Sequence, residues 1–414
     1  MKSWYICYGL IPDDLINVST NVQDAQKQLD GVAKFASKNK AIANSIKTKF
    51  TVFGNIKNVK LYFNGKAIEE VPSYKYLGNI FASTKTNKGD PFSENYQYLY
   101  DKAQKNIFSL FSKTKDISPL SPKLRIYLFD SLIRPVLIYG SGVWGISKKG
   151  RDTMDKLHLW YMRIVLGVKY NSNILATLGE CGSLPPSINI LANTFSYFIR
   201  LKNMPPTSLP YQAFSESKRL HNIGFSTWYS NVIKLASDYE VDLDTMNKYS
   251  IKYHLALKYK ENWLNQINDL TNNSSLRTYC QLKTEFKLDP YLTLIKNYKY
   301  RNALSRLRVN SHLLEIERGR HTEPATPVDR RLCSYCSVVE TEYHLVTECL
   351  LHDTDRQFLF SNISDRFPEF TVLDNVCKFK FMLTFPDEQL LSSVGKFVFK
   401  CFEKRKIYSE IQPS

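Results

Sequence analysis

Four residues near the C-terminal end have the types and the spacing to hold a metal ion: Cys333, Cys336, His344 and Cys349, in the run CSYCSVVETEYHLVTEC. Two cysteines separated by two residues can grip one ion from a tight turn, and a histidine and a cysteine about one helical turn apart can close the tetrahedron. Four protein ligands leave no open coordination position. The expected ion is therefore a structural Zn²⁺ that folds the tail and catalyses nothing. The competing reading is a set of ordinary buried thiols, and His352 is a substitute ligand.

A second candidate closes the N-terminal run MKSWYICYGLIPDD, where Asp13 and Asp14 are adjacent carboxylates. They suit a divalent cation, or they merely end a strand. Two-metal phosphoryl transfer needs carboxylates from two neighbouring strands, and none of the residues before Asp13 is acidic. A third candidate is the basic, aromatic stretch KNYKYRNALSRLRVNSHLLEIERGR. There Lys296, Lys299, Arg301, Arg306, Arg308, Arg318 and Arg320 suit phosphates, while Tyr298 and Tyr300 suit stacking on bases. The same stretch also reads as a solvated helix face with charge pairs through Glu315 and Glu317. His158, between Leu157 and Leu159, reads as a packed side chain, since no serine or cysteine nucleophile stands beside it.

The elements that must position these groups follow from the hydrophobic pattern. LINVST alternates in a β-like manner, and Val22, Ala25, Leu29, Val32, Ala33 and Ala36 then share one helical face. FTVFG is rich in β-formers, Asn64-Gly65 signals a hairpin, and YKYLGNIFA predicts one further strand. From residue 84 the pattern turns helical. Helices are expected over 96–113 and 152–166, and Ser121-Pro122 supplies an N-cap with proline at the first helical position. Leu124, Leu128 and Leu132 are expected to face the core. YGSGVWG reads as glycine-rich punctuation, and neither GxGxxG nor a lysine-bearing phosphate loop occurs. Pro185-Pro186 and Pro205-Pro206 bound another helical stretch.

The 414 residues include 56 Lys and Arg against 39 Asp and Glu, a net charge of +17, which favours polyanionic partners, RNA and DNA ahead of acidic membrane. The first apolar run lacks a small-residue cleavage site, and the stretch 132–146 is too short and polar to span a bilayer. No membrane association is expected. Of the eight cysteines only three cluster, so the chain is no disulfide framework, and an intracellular setting, nucleus or cytoplasm, is expected.

These motifs converge in their order. IPDDLINVST, SYKYLGNIFAS, KLRIYLFDSLIRPVLIYGSGVWG, HLWYMRIVLGVK, LGECGSLPPSI and the Cys/His tail together resemble the C-terminal half of the reverse transcriptases (RNA-directed DNA polymerases) of non-LTR, LINE-like retrotransposons. The resemblance implies that Asp13 and Asp14 descend from a catalytic pair, and that Lys47 matches the lysine near the incoming nucleotide's phosphates. It makes the tail a zinc-knuckle-like motif. Mg²⁺ is implied only for a complete parent polymerase, and no small-molecule substrate is expected for this chain alone.

The expected fold class is thus α+β and predominantly helical. It comprises an incomplete palm remnant at 1–83 with an unpaired sheet edge, a thumb-like helical domain at 84–210, a helical connector at 211–325 and a zinc-stabilised tail at 326–414. The expected function is a reverse-transcriptase fragment that binds nucleic acid and does not polymerise alone. The alternatives are a non-enzymatic nucleic-acid-binding remnant and a protein-interaction module.

Overall fold

The computed structural model describes residues 15–411, except 42–46, 55, 57, 84–89, 116–119 and 272–273. The fold is α+β and predominantly helical, with small two-stranded sheets. The chain divides into two units, one of residues 1–105, 135–154 and 189–252, the other of 106–134, 155–188 and 253–414.

In the first unit, α1 (Val22–Lys38) starts at Asn21, whose side chain accepts the Asp24 N–H at 2.8 Å. That satisfies one of the amides a helix leaves unpaired at its start. The apolar face read from the sequence packs Val22, Ala25, Leu29, Val32 and Ala33 onto buried Leu61, Phe63 and Ile68. The β-structure is thinner than the pattern implied. β1 (Lys49–Phe50) pairs in parallel with β4 (Glu69–Glu70), while β2 (Tyr62–Phe63) and β3 (Lys66–Ala67) form the Asn64-Gly65 hairpin. Both turn residues have positive φ, 49° and 73°, as this two-residue turn demands. Residues 15–20, read as a strand, form no strand pairing with any described residue and leave Leu15, Ile16 and Val18 exposed.

The stretch read as one strand, 74–82, is a second hairpin. β5 (Ser73–Tyr76) and β6 (Asn79–Ala82) flank Leu77 and Gly78, with φ of 45° and 81°. The hairpin is anchored on Tyr139, whose hydroxyl donates to the Leu77 carbonyl at 2.8 Å. YGSGVWG turns out to be a helical turn, Ser141–Trp144, and a Cβ at Gly145 would lie 2.2 Å from Thr194 Oγ1. Glycine is needed there for close approach to the Pro186–Lys202 helix.

In the second unit, α2 (Ser93–Thr114) contributes its C-terminal half, where Phe111 stacks on Tyr161 at 5.9 Å. Next, α3 (Pro122–Leu128) begins as expected, with Ser121 Oγ accepting the Leu124 N–H at 3.2 Å. Its expected core face is corrected. Leu124 and Leu132 are exposed, and the buried side carries Phe129 and Ile133 instead. A π-helical turn over Phe129–Ile133 continues α3, and its wider turn shifts the phase of every side chain beyond it. The expected helix at 152–166 forms over Lys148–Leu166, and the helix after Pro185-Pro186 over Pro186–Lys202.

The core of the second unit is also polar at one place. Arg308 is fully buried, with Nε and Nη2 each 3.0 Å from the Glu180 carboxylate and Nη2 2.6 Å from Asp289. Lys283 completes the cluster at 3.0 Å from Asp289, and Arg308 Nη1 donates to the Leu383 carbonyl at 2.7 Å. Every charge in this group has an opposite neighbour, which is the condition for burying charges at all.

Candidate metal centre and basic helix

The Cys/His set is assembled by a short turn and a short helix. Leu332 and Val339 form an isolated antiparallel bridge, so the chain between them must reverse. The Cys333 N–H donates to the Val338 carbonyl at 2.7 Å and the Cys333 carbonyl accepts the Ser337 N–H at 2.9 Å, with Ser337 at φ 56°. The helix Glu342–Thr347 is capped by Thr341, which accepts the His344 N–H at 3.0 Å and so fixes the turn that carries the histidine. Past the helix end, the Cys349 N–H returns to the His344 carbonyl at 2.8 Å and brings the third cysteine back to the cluster.

The four ligand atoms of Cys333, Cys336, His344 and Cys349 lie within 4.8 Å of one another. Cys349 Sγ is 3.9 Å from Cys333 Sγ and 3.8 Å from Cys336 Sγ. A tetrahedron of Zn–S bonds near 2.3 Å has edges of about 3.8 Å, so the sulfurs already stand at the spacing one ion requires. Neither ring nitrogen of His344 has a hydrogen-bond partner, although the side chain is buried. Coordination would remove the cost of burying such an imidazole, but this feature does not single out His344, since both ring nitrogens of buried His352 are also without a hydrogen bond.

The electrostatics point the same way. Sharing the Cys349 proton, with help from His344, holds the Cys333 thiol down to about 3, whereas the hydrogen bond to Cys333 and burial hold Cys349 up. A bound cation would favour the thiolate form of its cysteine ligands, so metal binding there releases protons. Leu350 N–H points at Cys336 Sγ at 3.4 Å, and Arg356 Nη1 holds the Cys349 carbonyl at 2.8 Å. His352 stays outside the four-membered set. Burial first, then the charges of Lys404 and Arg356, push it down to about 4.

The residues read as phosphate contacts separate into two groups. Lys296, Lys299, Arg306 and Arg318 are exposed, as is Tyr298. Lys296 pairs with Glu388 at 2.9 Å and Arg318 with Glu315 at 3.2 Å, both at the surface where such pairs are weak and screened. Arg306 Nε donates to the Gly167 carbonyl at 2.9 Å. Arg301 and Arg308, in contrast, are buried, and Arg308 turns into the Glu180 and Asp289 cluster, where no phosphate reaches it. Arg320 is half-buried and tied to Glu317 at 3.0 Å and to Ser274. Charge pairing through Glu315 and Glu317 therefore coexists with an exposed basic face.

Lys47 is exposed in the first unit, and Asp13 and Asp14 lie outside the described residues. His158 is fully buried and packed as read, with Nε2 2.8 Å from Ser183 Oγ, while its Nδ1 has no hydrogen-bond partner among the described residues. The sequence reading passed over Lys115 and Arg125, because KLRIYLFDSLI looked like a core helix and nothing in its spacing marked the arginine.

No protein-family model matches the chain. It is similar to an uncharacterized transposon-derived protein of Caenorhabditis elegans, at 24% identity over 162 residues, which is 38% of this chain and 55% of that protein. The chain thus spans about half the length of the curated relative it matches. The likeness supports a transposon origin. Among the described residues no helix is long and apolar enough to cross a membrane.

Proposed function

We propose that this chain derives from the C-terminal part of a non-LTR retrotransposon reverse transcriptase, holds one structural Zn²⁺ and binds nucleic acid. The observation that carries the reading is the closed Cys333, Cys336, His344 and Cys349 set, whose sulfur spacing fits one tetrahedral ion. Support comes from the likeness to a transposon-derived protein and from the order of motifs along the chain. Lys296, Tyr298, Lys299 and Arg306 lie exposed at one stretch of the same unit, cations beside an aromatic ring, which is the chemistry of a single-stranded polynucleotide site. The runner-up, a protein-interaction module, uses the same metal fold without the anion binding.

Metal analysis of the purified full chain, together with fluorescence anisotropy on labelled single-stranded RNA and DNA, tests the reading. About one zinc per chain is expected from the tetrahedral site, lost in Cys336→Ser, with binding that weakens as salt rises. A metal-free, fully folded protein removes the zinc assignment. Absence of binding at low salt removes the nucleic-acid assignment and leaves the interaction module. Primer extension on an RNA template with Mg²⁺ decides whether Asp13 and Asp14 still act: extension abolished by Asp13→Ala with Asp14→Ala makes the chain an enzyme.

A further inference from the structure

The second unit contains a pocket of ≈ 460 Å³ whose lining joins three cations, Lys115, Arg125 and Arg301, to Phe111, Val165 and Tyr298. No described lining residue is a carboxylate. Arg301 is more than nine-tenths buried. Its Nη1 donates to the Ile295 carbonyl at 2.8 Å and more weakly to that of Lys296 at 3.4 Å. Its Nε is buried without a partner, and Nη2 makes no hydrogen bond to any described residue. Arg125 is half-buried and likewise forms no ion pair among the described residues. Burial weakens the hold of Arg301 on its proton, and the charge of Arg125 weakens it further, so the two guanidinium groups feel each other. Elsewhere in this unit the buried arginine of the core is met by two carboxylates; here none of the described lining residues supplies a counter-charge.

Two guanidinium forks and an ammonium group call for an anion with more than two acceptor oxygens, which favours phosphate over carboxylate. The apolar and aromatic part of the lining calls for a ring attached to it. Tyr298 lines the pocket and is half-exposed, and base stacking on such rings tolerates any sequence. We propose that the pocket holds one nucleotide, its phosphate between Arg125 and Arg301 and its base against Tyr298 and Phe111. The inference deepens the nucleic-acid reading above and rests on it for the source of the nucleotide, a strand; a free mononucleotide shares the chemistry.

The test uses the full chain, with anisotropy on a labelled single-stranded oligonucleotide and calorimetry with AMP. Arg125→Gln removes the fork without touching the fold at that point, since Tyr161 donates to the Arg125 backbone carbonyl. It is expected to weaken strand binding about tenfold, the usual scale for a charge-assisted contact. Lys123→Gln removes a charge from the same helix outside the lining and is expected to change binding less than about twofold, as an exposed charge does. Lys115→Gln, at an exposed position, gives a second reading if Arg125→Gln misfolds. Loss confined to AMP assigns the pocket to free mononucleotides. If the strand still binds in a salt-sensitive way but neither ligand responds to Arg125→Gln or Lys115→Gln, the pocket is overturned while the broader reading stands. If no strand binds, yet AMP binds and depends on Arg125, the pocket stands and the broader reading falls.

Discussion

At the scale of single residues, chemistry that looks alike in sequence is sorted by burial. Arg306 and Arg308 are two positions apart on one helix, yet Arg306 is exposed and Arg308 is fully enclosed by Glu180 and Asp289. Removing Arg308 leaves two carboxylates without their main partner, so Arg308→Ala is expected to cost about 3–5 kcal/mol and to leave much of the second unit unfolded. Lys299→Ala, at an exposed position, is expected to stay within about 0.5 kcal/mol. Urea midpoints of the two variants check this, and a mild Arg308→Ala would show that the cluster contributes little. The cluster was illegible in the sequence because Glu180, Asp289 and Arg308 are distant along the chain and none carries a motif. His158 was legible as a packed residue because its neighbours were apolar. Burial, then the charge of Arg134, holds its folded-state pKa well below 6.5, so folding is favoured with the ring neutral. The contribution is full above the unfolded pKa near 6.5 and is lost as pH falls below it, because the unfolded chain then binds a proton that the folded chain does not. Stability measured from pH 7 to 5 should therefore fall with a slope that His158→Gln reduces by up to one proton, roughly 1.4 kcal/mol per pH unit. Equal slopes in both proteins would place the proton uptake elsewhere.

At the scale of elements, the long amphipathic helices and the capped start at Ser121 were readable because each signal is local; the Asn21 cap of α1 went unread. Two elements were misread for one physical reason, a local departure from the regular period. The π-helical turn at Phe129–Ile133 takes Leu132 out of the expected stripe, and burial falls on Phe129 and Ile133; Leu124, which precedes the turn, is exposed already. At the second hairpin, leucine holds a positive φ that β-turn rules reserve mainly for asparagine, aspartate or glycine, so Leu77-Gly78 gave no turn signal. The hydroxyl of Tyr139 holding the Leu77 carbonyl accounts for how that conformation is maintained. Gly78 is then the residue under most constraint, with φ 81° and a Cβ position 3.1 Å from the Tyr139 ring. Gly78→Ala is expected to cost about 1–2 kcal/mol, through the left-handed backbone and the crowded ring. Hydrogen exchange of the hairpin amides should accelerate about 5- to 30-fold. Gly54→Ala shares the positive φ of 93° but meets open space. It should therefore show the backbone part of the penalty without the ring, and if the two variants match, the Tyr139 contact is not constraining the turn.

At the scale of the whole molecule, the question is where the surplus of positive charge sits. Many of the buried and half-buried charges are consumed in near-neutral groups: Arg308 and Lys283 with Glu180 and Asp289, Arg277 and Arg320 with Glu317 and Glu342, Arg405 with Glu340 and Glu315, whereas Arg301 and Arg125 meet no carboxylate among the described residues. Those near-neutral groups set five cations against six carboxylates and so carry no net positive charge, which leaves the whole of the +17 surplus with the other side chains. A single strand that neutralises Z of these cations displaces about 0.7 Z counterions, which sets the slope of log affinity against log salt. Six contacts would give a slope of about −4. Each exposed contact removed should reduce its magnitude by about 0.7, so Lys299→Gln flattens the line slightly while Arg308→Met, if folded, leaves it unchanged. Zinc removal offers the complementary measurement. The Cys/His cluster that would hold the proposed ion lies within the same unit as the basic helix, so on that proposal the zinc-free protein should keep the composition of charge but lose its fixed arrangement. Weaker binding at an unaltered slope would mean that the ion organises the surface, whereas identical binding with and without zinc would separate the two functions of this unit.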